Sequence, residues 1–109
     1  MEIGAGTGGA RGAPSPNAGK VVKVRWVKHY AEATNQVCIG EVVRETPEYL
    51  VMRGVILNFR KGATDLKRDE ERVRWVPWGE IAVVCELPGG TNWRQLEFTA
   101  DEAGDVKCR

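Results

Sequence analysis

The chain contains a single serine, Ser15, and a single histidine, His29. A Ser/His triad in the folded part would have to recruit Ser15 from a glycine- and proline-rich stretch, so that type of hydrolase is not expected. Cysteine is also scarce. Cys38, Cys85 and Cys108 form an odd set without paired spacing, which argues against a disulfide framework and for a reducing compartment. Cys38 and Cys85 sit in apolar, strand-like runs, where a thiol usually behaves as an inert small hydrophobe. One histidine with scattered cysteines provides no metal-ligand spacing. No hydrophobic run approaches the ~20 residues of a membrane-spanning helix. The opening MEIGAG has neither the basic region nor the apolar run of a secretion signal. Together these absences predict a cytoplasmic, non-enzymatic protein with no cofactor, no metal and no membrane association.

Glycine is plentiful but concentrated at one end. Residues 4–19, GAGTGGARGAPSPNAG, hold almost nothing that could be buried, which predicts a flexible lead over residues 1–19. Gly4 to Gly9 fits G-x-G-x-x-G letter for letter. The dinucleotide site, however, needs a strand before those glycines and a helix after them, and here only Met1 to Ile3 precede and Arg11 to Pro14 follow. PSPNAGK, from Pro14 to Lys20, resembles the end of a phosphate-binding loop. It has proline for the first glycine and Val21 for the metal-binding hydroxyl, so it fails as a nucleotide site.

From Lys20 onward the dominant period is two, the signature of strands. In KVVKVRWV, Val22, Val24 and Trp26 alternate with Lys23, Arg25 and Val27, a half-buried strand. A second run from Gln36 to Thr46 contains Gly40, which marks a bend or a close backbone approach. Thr46-Pro47-Glu48 is a turn. The run EYLVMRGVILNFRK then has apolar residues on both parities, so it is either buried on both sides or bent about Gly54 with a switch of its inward face. GATDLKRDEER reads as an exposed loop or a short helical turn. RVRWV is a fourth strand with Val73 and Trp75 inward, and IAVVCEL is a fifth with Ile81, Val83, Cys85 and Leu87 on one side. Pro77 separates these two strands, because a residue without an N–H belongs at a strand end, an edge or a corner. The segment after Pro88-Gly89-Gly90 could add one short element around Trp93 to Phe98 before fraying. Five consecutive strands with short turns predict an all-β, small five-stranded, strongly bent antiparallel barrel.

Charge is uneven despite a net +1. Lys20 to Arg74 carries twelve Lys or Arg against eight Asp or Glu, and Glu80 to Arg109 carries three against six. A basic body favours an anionic partner, and the acidic end could cover that body as a nucleic-acid mimic lying on Lys23 and Arg25. Of the four tryptophans, Trp26 and Trp75 are expected in the core and Trp78, at the corner, in packing within the chain or against a neighbouring copy, with stacking on a base as the alternative.

In this order of pieces the chain resembles the Sm-like family of small barrels. IGEVVRETPEYLVM resembles the first Sm segment, with Gly40, Glu45, Leu50, Val51 and Met52 at matching positions, and VPWGEIAVV resembles the second. The resemblance spans residues 20–88 and leaves 89–109 as an acidic extension. It implies a homo-oligomeric ring in which the fourth strand of one subunit pairs with the fifth of the next, and RNA or another single-stranded nucleic acid as partner. The chain departs from the family where the base pocket would be: Tyr49 replaces an Asn, Pro77-Trp78 replaces an Arg-Gly or Lys-His turn, and the N-terminal helix is replaced by the glycine-rich lead. The expected nucleic-acid residues are therefore Tyr49 and Trp78 for stacking and Lys23, Arg25, Arg72 and Arg74 for phosphate. The expected subunit interface comprises Val76, Pro77, Trp78 and Val83. The alternative is a structural barrel that binds protein through Trp78 and the loop from Lys61 to Arg72, with no nucleic-acid ligand.

Overall fold

The computed structural model describes residues 15–60 and 66–108. The motif from Gly4 to Gly9 and the tip of the charged loop lie outside these residues. Among the described residues eight strands form: β1 Val21–Trp26, β2 Asn35–Glu45, β3 Tyr49–Phe59, β4 Lys67–Arg68, β5 Arg72–Pro77, β6 Ile81–Glu86, β7 Phe98–Ala100 and β8 Val106–Cys108. A 3-10 turn, Trp78–Glu80, joins β5 to β6. The chain is all-β, as its period of two requires.

β1, β2 and β3 form an antiparallel meander, and β5 adds to the far side of β3. β6 returns across the sheet to pair with β1. The main sheet therefore runs from β4 and β5 through β3, β2 and β1 to β6. β5 and β6, its two ends, are not paired with each other, so the sheet stays open where a closed barrel was expected. The hairpin of β2 and β3 places Gly40 directly opposite Gly54. A Cβ on Gly40 would lie 2.0 Å from the Arg53 carbonyl oxygen, and one on Gly54 would lie 2.4 Å from that of Ile39. Both glycines mark a close backbone approach that no side chain could share. The turn between β2 and β3 is held by Thr46, whose hydroxyl accepts from the Tyr49 N–H at 2.9 Å.

The sheet carries a core on each face. On one, Val22, Val24, Cys38, Val42, Leu50 and Met52 pack together, and Trp26, Ile56 and Ile81 close their margin. On the other, Val37, Ile39, Val55, Leu57 and Phe59 pack under Trp93, Phe98 and Val106. β3 thus does not switch faces at Gly54; its two apolar parities serve two cores. The residues after Pro88 do not fray after Trp93–Phe98: Trp93 is 2 % exposed and Val106 1 %. They form a second layer ending in the small sheet of β7 and β8. Arg68 anchors this layer by donating to the carbonyls of Arg94 and Leu96 at 3.1 and 2.8 Å.

β5 has the opposite facing to that expected. Trp75 pairs with Val51 and Val76 with Leu50, and Leu50 belongs to the inner core. Trp75 is consequently 61 % exposed, whereas Val76 is buried at 2 %. The register set by the β3 neighbour outweighs the apolar parity of an isolated RVRWV. β6 also differs, with Ala82, Val83 and Val84 all exposed along an edge strand.

Candidate functional site

Three surfaces bear on function. The first is the pair of unpartnered edges. β6 contains no charge from Ile81 to Cys85, and Val83 and Val84 are exposed on opposite faces of it. On β5, Pro77 is opposite Tyr49 at the strand's last position, an edge placement that asks for no ladder donor on the far side. Of the expected interface residues, Pro77, Trp78 and Val83 are exposed. Val76 is not; it contributes only backbone to the edge, since its side chain lies in the interior.

The second surface is a cleft of about 270 Å³ at the mouth between the two edges, lined by Lys20, Val22, Val42, Leu50, Trp78 and Val84, among others. Trp78 is fixed there by its indole N–H, which donates to the Thr46 carbonyl at 2.8 Å. One ion pair and one hydrogen bond rim the cleft: Lys20 with Glu86 at 3.5 Å, and the Asn17 amide donating to the Glu45 carboxylate at 3.1 Å.

The third is the outer face of β2, β3 and β5 beyond the cover of the C-terminal layer. The sheet registers place Arg44, Val51 and Trp75 in one row across three strands, and Glu41, Arg53 and Val73 in the next. Tyr49 lies one row the other way, its ring 5.8 Å from that of Trp75 and inclined at 60°. The Arg44 guanidinium carbon is 5.9 Å from the Trp75 ring centre.

The expected phosphate-binding cations do not converge. Lys23 is half-buried under the C-terminal layer, 3.1 Å from the Asp105 carboxylate, and also donates to the Val106 carbonyl. The acidic segment does lie on Lys23, as part of a packed layer. Arg74 turns toward the inner core, pairs with Asp69 and donates to the Glu70 carbonyl. Arg72 lies 3.9 Å from Glu70. Arg25 has no ion pair among the described residues, but it sits with Asn35 and Gly104 at the opposite end of the molecule's strands from Tyr49. Tyr49 is brought to Trp75, and Trp78 to the cleft. Arg44, Arg53 and Trp75 were missed because their placement depends on the β3–β5 register and on a bulge between Val42 and Arg44, neither of which a single strand's pattern encodes.

Among the described residues, Cys38 and His29 are not brought together. Cys38 lies in the inner core, where burial pushes its thiol up to about 12, while His29 is on the exposed β1–β2 loop, 2.8 Å from Glu80. Among the described residues no group of His, Cys, Asp or Glu side chains could hold a metal ion. None of their helices is long and apolar enough to cross a membrane. Comparison with protein-family models, curated proteins and solved structures gives no match.

Proposed function

We propose that this chain is a non-enzymatic, Sm-like small barrel that joins its copies edge to edge into a closed ring, with RNA or another single-stranded nucleic acid as its ligand class. Support comes from the connectivity, a meander of β1, β2, β3 and β5 followed by one 3-10 turn and a return of β6 to β1. The observation that carries the reading is the two unpaired edges. A strand edge without charge, proline or cover is an open template for another strand, and β6 from Ile81 to Cys85 has none of these guards. Pairing β5 of one copy with β6 of the next would satisfy both edges, and repetition of that contact around a closed symmetry would leave none free.

Light scattering on the purified protein tests this. A mass that is a fixed multiple of 12.1 kDa is expected. Val83→Lys, which places a charge on an exposed edge position, should reduce the mass to that of one chain without changing the thermal melt. A wild-type monomer at tens of micromolar would overturn the ring.

A second reading, a protein-interaction barrel without a nucleic-acid ligand, is favoured by the ion pairs that occupy Lys23 and Arg74. Co-purification at low salt separates the two. Absorbance from bound nucleic acid supports the first, and a clean protein spectrum supports the second.

A further inference from the structure

We propose that single-stranded nucleic acid binds on the outer face of β2, β3 and β5, with bases on Trp75 and Tyr49 and phosphates on Arg44 and Arg53. This deepens the nucleic-acid reading above and does not depend on the ring.

Charge and ring chemistry together select this occupant. Trp75 is the most exposed tryptophan described, and Tyr49 beside it is 37 % exposed. Aromatic faces bordered by cations accept bases of any sequence, because every base has a π face. The 60° inclination of the two rings suits bases splayed apart, as in a single strand, and not a stacked duplex. The charge count on this face is in surplus. Arg94 stacks on Trp93 at 4.3 Å and pairs with both acids of the neighbouring surface, Glu71 at 2.8 Å and Glu41 at 3.6 Å. Hydrogen bonding to Arg94 holds the Glu71 carboxyl below its ordinary value, so that acid stays ionised and engaged. Glu41 is also the strand neighbour of Arg53, but its nearest guanidinium is that of Arg94. Arg44 and Arg53 have no ion pair among the described residues, although Arg53 also acts on the Glu71 carboxylate through space, so three guanidiniums face two carboxylates and one positive charge is in surplus beside the rings.

An apolar partner surface would gain nothing from the guanidiniums. A cationic partner would be repelled by Arg44 and Arg53, which flank the rings. An acidic polypeptide would use the cations but leave the rings without matched planes, and the test separates it.

Anisotropy titrations of a fluorescein-labelled 15-mer of deoxythymidine and its uridine counterpart, at 50 and 200 mM salt, read the proposal directly. Binding that weakens with salt is expected. Trp75→Ala, at a position too exposed to unsettle the fold, should weaken it about tenfold or more, the range of a lost base stack. Arg44→Gln with Arg53→Gln should make the plot of log affinity against log salt shallower by about 1.4, or 0.7 per lost phosphate contact. Lys28→Gln, on the β1–β2 loop, should change neither. Failure of Trp75→Ala to weaken binding, or displacement by poly-glutamate as effective as by unlabelled oligonucleotide, overturns the proposal. Light scattering on the same samples keeps the two readings apart: if Val83→Lys abolishes assembly while each chain still binds, the ring contact and the platform are separate features.

Discussion

At the scale of single residues, two glycines illustrate how a position can be dictated by its neighbour across the sheet. Gly40 and Gly54 face each other so closely that a methyl on either would meet backbone, which cannot rotate away as a side chain can. Gly40→Ala should therefore cost at least the 1–3 kcal/mol typical of overpacking, whereas Gly79→Ala, with nothing within 4 Å, should be near neutral. Urea denaturation of the two variants measures the contrast. Trp78 makes a different point, since an exposed ring is fixed by one hydrogen bond to the Thr46 carbonyl. Trp78→Phe keeps an aromatic ring, though a smaller one, and removes the donor, so a loss of about 0.5–1.5 kcal/mol in the same experiment is expected.

At the scale of elements, the legible and illegible parts of the sequence separate on physical grounds. β1, β2, β3 and the turn at Thr46 could be read because alternation, a bend glycine and turn residues are local properties of the chain. Val22 and Val24 are buried as their parity requires. What could not be read was anything set by a neighbour. Trp75 stands in an alternating apolar run and Trp93 in a polar segment after two glycines, yet the first lies bare on β5 and the second is sealed against the sheet, because strand register decides the first and tertiary packing the second. The candidate surfaces divide in the same way: Tyr49 and Trp78 were named from the resemblance and the corner at Pro77, while the row that sets Arg44 and Trp75 beside each other, with Arg53 in the next, needed the register. The two tryptophans provide a test. Trp93→Ala should lose about 3–5 kcal/mol, and Trp75→Ala should stay within about 0.5 kcal/mol of wild type in thermal melts. The β7–β8 connection carries a pH signature as well. Asp101 accepts from the N–H groups of Asp105 and Ala103, both at 2.9 Å, and these bonds hold its carboxyl below the ordinary 3.8. A carboxyl lowered in the folded state stabilises above its unfolded value and loses that contribution as pH falls through the folded value. The protection factors of the Ala103 and Asp105 amides, with the intrinsic pH dependence of exchange divided out, should accordingly fall as acid protonates this carboxyl, and Asp101→Asn should remove the dependence.

At the scale of the molecule, the C-terminal layer determines which surfaces the protein can offer. It spends its apolar side chains on one half of the outer face of the sheet and leaves the other half, with Tyr49 and Trp75, open. Its acidic character invites the idea of a cover that lifts to free Lys23, and the 3.1 Å contact of Lys23 with Asp105 is consistent with that geometry. Energetics decide against a simple lid. Trp93 and Phe98 are worth about 3–5 kcal/mol each when truncated, which is comparable with the 5–15 kcal/mol that stabilises a whole small domain. Removing the layer would also bare Val37, Ile39, Val55, Leu57 and Phe59 to water as one contiguous patch. Truncation after Gly90 is therefore expected to abolish the cooperative melt and produce strong binding of a hydrophobic dye, and not to strengthen nucleic-acid binding. Asp105→Asn separates charge from packing, since it removes the carboxylate beside Lys23 while retaining the buried aromatics. It should melt within a few degrees of wild type, as expected for a partly exposed pair. A truncated chain that melted cooperatively and bound oligonucleotide more tightly would instead show that the layer is a detachable cover and that Lys23 belongs to the binding surface.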